Sequence, residues 1–272
     1  MSEAPSSPTP QGPPKLPPAY RLRAYDAVAS TNDEARRLAV EEAAEDGTLV
    51  WALEQTAGRG RRGRSWSSPR GNLYVSAILR PDCPVGEAAQ LGFAAALALV
   101  DALGHLMPPL TEVRLKWPND VLVNERKAAG ILLETVVDSD GTFRALLLGL
   151  GVNIAEAPDD TAFPATALQW ESAGRGIGPE DLLQLWSKHF LTWVNRWMDD
   201  GFPPLRRQWL AYAHAPGQQL RVRLPNREVH GTFHDMDAEG ALLIDTDRGR
   251  ERLSVGDVFF AEPNGTAGSE AG

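Results

Sequence analysis

The sequence predicts an α+β protein: a mixed β-sheet backed by helices, followed by a small β-barrel. Over the first part of the chain, apolar runs of strand length alternate with helix-patterned segments, which argues for helices laid on a sheet. Between residues 112 and 154, strand-like runs follow one another with only turns between them, so part of that sheet is antiparallel. From Gly217 on, short alternating runs are separated by turn residues, the texture of a small barrel.

Each element follows in order. Residues 1–18 hold seven prolines and almost no large apolar groups, so they are expected to form a disordered tail. Residues 20–28 alternate loosely and read as a strand. Residues 32–45 are rich in Ala, Glu, Arg and Leu, and Gly47 follows as a helix stop. Residues 48–53 are a short buried strand, 58–71 a loop rich in glycine and arginine, and 72–79 a strand ended by Pro81. A long apolar helix over 87–106 ends at Pro108 and Pro109. Short strands at 112–117 and 120–124 flank a Pro-Asn-Asp turn. Strands 129–137 and 143–154 are joined by Asp138-Ser139-Asp140-Gly141, a hairpin signal. Pro179 opens an amphipathic helix over 181–198, and a further helix covers 204–212. The barrel strands fall at 220–224, 229–233, 241–245, 251–255 and 258–260. The expected organisation is a tail (1–18), a large unit (19–214), a barrel (215–262) and a second tail (263–272).

Composition narrows the function. With 272 residues, 43% hydrophobic and 23% charged, the chain can bury a sizeable core. No stretch of about 18 apolar residues stands out, so no membrane span is expected. The start lacks a basic segment followed by an apolar run, so it is not a signal peptide. One cysteine, Cys83, excludes an intrachain disulfide and suits the cytoplasm. A net charge of −9 disfavours a dedicated DNA or RNA binder. The five histidines show no metal-ligand spacing, so no dedicated metal site is expected.

Against that acidic background one segment stands out: Gly58-Arg59-Gly60-Arg61-Arg62-Gly63-Arg64, then Ser65-Trp66. Glycine lets the backbone approach a ligand, and guanidinium groups present forked donors to phosphate and carboxylate. The loop therefore reads as an anion clamp; a solvated basic loop or an RNA-binding arginine patch is the plainer reading. It is not a P-loop, for no Gly-Lys-Ser/Thr follows. Four further motifs have equally plain structural readings. Lys116-Trp117-Pro118-Asn119-Asp120 is a strand and turn. Lys127 precedes a strand containing Gly130. Gly149-Leu150-Gly151-Val152-Asn153 places two glycines in an apolar strand, a mark of close approach or of a bulge. Ser30-Thr31-Asn32 is a helix N-cap that also exposes N–H groups and hydroxyls.

In this order and spacing, the five motifs resemble the biotin protein ligase family over roughly residues 20–262. The resemblance implies a class II synthetase-like catalytic domain followed by an SH3-like barrel. It points to the type without an N-terminal helix-turn-helix domain, hence no DNA binding. Ala165-Thr166-Ala167-Leu168 departs slightly, with alanine where relatives often have serine. The implied reaction activates biotin with ATP, aided by Mg²⁺, as biotinyl-5′-AMP. The biotin then passes to a lysine of a biotin carboxyl carrier protein domain. A homodimer is compatible with the strand-rich region.

The resemblance also implies residue roles. Ser30, Thr31, Asn32 and Gln55 would bind the ureido ring, Gly58 and Arg59 the tail and carboxylate, and Gly130 and Leu132 the pocket wall. Arg61, Arg62 and Arg64 would hold phosphates, with Trp66 packed over the adenylate. Asn119, Gly151 and Asn153 would lie near the nucleotide. Lys127 would bridge the carboxylate and the α-phosphate. Asp120 would accept the proton of the incoming lysine, which is mostly protonated at neutral pH. The rival readings are a lipoate-protein ligase and an arginine-loop RNA-binding protein.

Overall fold

A computed structural model describes residues 14–260 apart from 139, 160, 162, 174–175 and 214–215. The expected tail over 263–272 and the first thirteen residues lie outside the described residues. So does the boundary expected near residue 215.

The first strand, β1 (Arg21–Tyr25), pairs in parallel with β2 (Thr48–Ala52) across the helix α1 (Thr31–Glu41). β3 (Leu73–Leu79) follows the arginine loop, and every one of its residues is buried. The expected single helix over 87–106 is a short α2 (Val85–Ala88) and a long α3 (Leu91–Leu106). Then come β4 (Val113–Lys116), β5 (Asp120–Val123), β6 (Arg126–Val137) and β7 (Phe143–Val152). They complete a seven-stranded mixed sheet in the order β1-β2-β3-β7-β6-β5-β4. Lys127, expected ahead of its strand, lies inside β6.

Strand alternation divides the sheet into two faces. On one face Val50, Ile78, Leu147 and Val136 pack against Ala35 and Leu38 of α1. The other face, with Val75, Leu148, Leu150 and Ile131, joins the main core under α3. α3 is apolar almost all round, as a helix enclosed on every side must be. Together α2 and α3 are long and apolar enough to cross a membrane by composition, contrary to the sequence expectation. Their place is the core, with 67% of the apolar window buried.

Over α3 lies α5 (Pro179–Asp200), after the single turn α4 (Leu168–Glu171). Three tryptophans of α5 fasten it down: Trp186 donates to Ala95 O, Trp193 to Asp101 and Trp197 to Gln90. Truncating the fully buried Trp186 to alanine costs about 3–5 kcal/mol at such sites. The proline-rich segment is not wholly a tail: Lys15 N donates to Gln184 of α5, and Leu16 packs against the core.

α6 (Phe202–Tyr212) leads to a second sheet of β8 (Gln219–Arg223), β9 (Glu228–Met236), β10 (Leu242–Thr246), β11 (Gly249–Leu253) and β12 (Asp257–Phe260). It is antiparallel, in the order β11-β10-β9-β8-β12. Trp117 Nε1 donates to Gly240 O, and Arg206 reaches Met236 O and Asp235, tying this sheet to the first unit.

Candidate active site

One cavity of about 460 Å³ opens on the α1 face of the large sheet. That size suits a ligand somewhat larger than an amino acid. Register places its floor: Ser76 opposes Gly149, Gly149 opposes Leu132, and Gly151 opposes Gly130, all on one face. The glycines are needed for space. A Cβ on Gly149 would sit 2.5 Å from Asn32 Oδ1, and one on Gly151 2.6 Å from Trp66 Nε1.

The polar corner lies at the start of α1. Ser30, Thr31 and Asn32 are all buried, and the Ser30 side chain makes no capping hydrogen bond. Gln55 Oε1 accepts from Thr31 N at 2.8 Å and from Thr31 Oγ1 at 3.1 Å. Gln55 Nε2 donates to Ser68 Oγ. Ser76 donates its hydroxyl to Asn32 Oδ1 at 2.6 Å, with Thr31 Oγ1 2.8 Å away. Asn32 Nδ2 donates to Glu134 at 3.0 Å. This corner is a fixed set of donors and acceptors, suited to a small polar ring.

The arginine loop closes over the cavity as a tight hairpin. Gly60 N donates to Arg64 O and Trp66 N to Gly58 O. Its single 3-10 turn carries Arg62 at φ 58°. Arg59 is clamped by Asp33 at 2.6 Å and Glu134 at 3.0 Å. The next three arginines converge on one carboxylate of the second sheet, Asp257, at 3.5 Å (Arg61), 3.2 Å (Arg62) and 3.0 Å (Arg64). Arg61 also donates to Asn119 Oδ1. Burial pushes the Arg61 pKa down, and Asp257 and Asp120 oppose the shift. Trp66 lies against the backbone of Gly130 and Gly151, and its buried Nε1 has no partner within the protein.

The third cluster is a lysine–carboxylate–lysine bridge. Asp120 takes Lys127 Nζ at 2.6 Å on one oxygen and Lys116 Nζ at 2.7 Å on the other. Lys127 reaches this side through a register shift between β5 and β6, where the extra residue Ala128 reverses its facing. Lys116, 6% exposed, also donates to Val258 O and lies over the Phe163 ring. Burial alone would raise the Asp120 pKa; the attraction of Lys127 and Lys116 overrides it and takes it far below the usual range. Burial lowers Lys116, with Asp120 opposing.

The expected site residues Ser30, Thr31, Asn32, Gln55, Arg59, Arg61, Arg64, Trp66, Asn119, Asp120, Lys127, Gly130, Leu132, Gly151 and Asn153 all line this cavity. Gly58 and Arg62 do not. Gly58 is packed beneath the loop, where a Cβ would meet Ser68 Oγ at 2.4 Å. Arg62 turns to Asp257, Arg223 O and a second, outer cavity. Sequence reasoning missed Ser76, Glu134, Asp33, Asp257 and the role of Lys116. Lys116 stands in a motif already singled out, and Ser76 leaves a trace as a lone hydroxyl in the buried run Leu73–Leu79.

In sequence and fold the chain is similar to known proteins. A family model described as "Biotin/lipoate A/B protein ligase family" matches residues 63–211, and "Biotin protein ligase C terminal domain" matches 217–261. Biotin--[acetyl-CoA-carboxylase] ligase of Paracoccus denitrificans is 42% identical over 236 residues, 85% of this chain and 97% of that protein. Biotin protein ligase from Aquifex aeolicus in complex with biotin and ATP superposes with a TM-score of 0.74 at 26% identity, covering 89% of this chain and 99% of the other. The enzyme from Leishmania major in complex with biotinyl-5-AMP superposes with a TM-score of 0.63 at 27% identity, covering 88% of this chain and 100% of the other. The chain belongs to the biotin protein ligase family.

Proposed function

We propose that this protein activates biotin with ATP as biotinyl-5′-AMP and transfers the biotin to a lysine of a carrier protein. The observation that carries the reading is one cavity holding three chemistries side by side: a rigid polar corner, an arginine lid and a paired-lysine bridge. Activation brings a carboxylate against a polyphosphate. Cations fixed in advance offset that repulsion without reorganisation during the reaction.

Ser30, Thr31, Asn32 and Gln55 hold the ureido ring. Lys127 leaves one oxygen of Asp120 to meet the carboxylate and α-phosphate, while Lys116 stays anchored. Arg61 and Arg64 take phosphate oxygens, and Trp66 covers the adenylate. A closed lid excludes water from the mixed anhydride. Among the described residues no cluster of three or more His, Cys, Asp or Glu side chains could hold a metal ion. Mg²⁺ carried on the nucleotide phosphates would supply part of their neutralisation.

Two ammonium groups make the Asp120 carboxylate a weak base. Its acceptor role in transfer begins only once Lys127 has turned to the phosphate; before that it positions both lysines. The acceptor protein is a biotin carboxyl carrier domain, and the site of action is the cytoplasm. The five-stranded second sheet acts as the SH3-like barrel, with 19–214 as the catalytic unit. An RNA-binding role finds little support, because Arg59, Arg61, Arg62 and Arg64 are all engaged with carboxylates.

ATP–pyrophosphate exchange with purified protein tests the reading, comparing biotin with lipoate and octanoate. Exchange that depends on biotin alone is expected. Exchange driven by lipoate would move the chain to the lipoate ligases, and no exchange from folded protein would overturn the adenylation step.

A further inference from the structure

Of the 27 lysines and arginines in the chain only four are lysine: Lys15, Lys116, Lys127 and Lys188. Their places in the fold are not scattered. Lys116 and Lys127 lie inside the cavity, each held on Asp120. Lys15 and Lys188 are exposed and lie together, for Lys15 N bonds to Gln184, one helical turn before Lys188 on α5. α5 covers α3, and α3 covers the sheet face opposite the cavity. A sheet and two helices therefore separate these two amines from the site.

Around the mouth, among the described residues, positive charge is carried by guanidinium alone: Arg59, Arg61 and Arg64 on the lid, Arg62 outside it, and Arg221 and Arg223 beside Phe259. The distinction is chemical. A guanidinium stays protonated and is no nucleophile, whereas a lysine with a pKa near 10.4 offers roughly one neutral amine in a few thousand at pH 7. An acyl-adenylate acylates whatever neutral amine reaches it.

We infer that keeping lysine away from the mouth protects the enzyme from its own intermediate. Lys15 and Lys188 are then the chain's side-chain acceptors for stray biotin, and only from another molecule's adenylate. In that reaction the neutral Nζ attacks the acyl carbon of biotinyl-5′-AMP. The acyl–oxygen bond to phosphate breaks, AMP departs with the electron pair, and the amine proton passes to water. Lys116 and Lys127 escape because their amines are turned onto anions: Asp120 at 2.7 and 2.6 Å in the resting site, and the α-phosphate for Lys127 once the nucleotide is bound. The inference rests on the ligase reading above.

Mapping of covalent biotin tests it. The wild-type chain and an Arg61→Gly variant, which removes the lid's contacts to Asn119 and Asp257 and is expected to release more adenylate, are incubated with biotin and ATP, without carrier, at two protein concentrations tenfold apart. Peptides are then read by mass spectrometry, with the terminal α-amine scored separately. Biotin is expected on Lys15 and Lys188 and not on Lys116 or Lys127. Labelling per molecule should rise about tenfold with concentration, as a reaction between molecules must. The K15R/K188R double variant should lose lysine-linked biotin while still modifying carrier. Ser67→Lys, which adds an amine at an exposed position lining the cavity, should label itself at a rate independent of concentration. Biotin on Lys116 or Lys127, concentration-independent labelling of Lys188, or an unlabelled Ser67→Lys would each overturn the inference. Pyrophosphate exchange in the same samples separates this failure from failure of the ligase reading: without exchange, no adenylate formed.

Discussion

Asp257 is the residue on which the lid arginines converge, and Asp257→Asn tests whether it builds the site or obstructs it. The variant keeps the shape and removes one negative charge that faces three guanidinium groups. Two of the contacts, at 3.0 and 3.2 Å, are within hydrogen-bond range; the third, at 3.5 Å, is marginal. Arg64 is 55% exposed, so its pair is largely screened, while Arg62 is 29% exposed and Asp257 14%. Counting one well-sheltered charged hydrogen bond and a fraction of a second gives about 1.5 kcal/mol. That is roughly a tenfold shift toward an open lid. Because Arg62 lies outside the cavity, it can hold Asp257 while Arg61 and Arg64 turn to phosphate. Asp257 thus anchors the lid in both states, and its loss should raise the KM for ATP about tenfold and speed release of adenylate. Pyrophosphate exchange across an ATP titration measures the first effect, and retention of labelled intermediate on a desalting column the second. An unchanged or lowered KM for ATP would refute the reasoning, since it would make Asp257 a competitor of the phosphates.

Three further outcomes follow from single contacts. Ser76→Ala should weaken biotin by about 1–2 kcal/mol and leave the KM for ATP unchanged, because it strips a hydrogen bond from buried Asn32; calorimetric titration with biotin reads it. Gly149→Ala should abolish biotin binding in folded protein, since the new methyl would displace the Asn32 amide; circular dichroism with the same titration separates this from unfolding. Asp120→Asn should destabilise the fold by about 3–5 kcal/mol at pH 7, because it leaves a buried ammonium unpaired. The sign with pH is fixed by the lowered Asp120 pKa: its contribution is fully present above the unfolded carboxyl value near 4 and fades as pH falls below it. Urea melts at pH 7 and pH 3 should therefore show the gap between wild type and Asp120→Asn narrowing in acid. Transfer from preformed adenylate at the wild-type rate in Asp120→Asn would remove its role as proton acceptor.

What the sequence disclosed, and what it hid, divides along the range of the interactions. Ser30-Thr31-Asn32 was legible because a helix start is a local event, and the glycines at 149 and 151 because small residues in a buried strand are anomalous in themselves. The arginine loop was legible because five arginines fall within twelve residues of an acidic chain. Asp257 carries no such mark: its partners lie more than 190 residues away, and an aspartate opening a strand has many ordinary uses. Glu134 reads as a surface residue near the end of a strand until Arg59 and Asn32 are seen to close on it. Lys127 was placed ahead of its strand; the register shift that brings it within β6 and turns it to Asp120 is a property of two paired strands.

The same division explains how a protein of net charge −9 presents a site for two anions. Its cations are not free to attract whatever passes, for each lid arginine is already matched to a carboxylate on a different element: Asp33 of α1, Glu134 of β6 and Asp257 of β12. Such pairing does not shut the ligand out, because Arg62 keeps Asp257 while Arg61 and Arg64 turn to phosphate. It gains order, because the donors are already arranged when nucleotide and carboxylate arrive together. A ligand with several negative oxygens can displace several pairings at once, whereas a single anion cannot. The paired resting state therefore discriminates by total charge, and the second sheet, through Asp257, takes part in that discrimination.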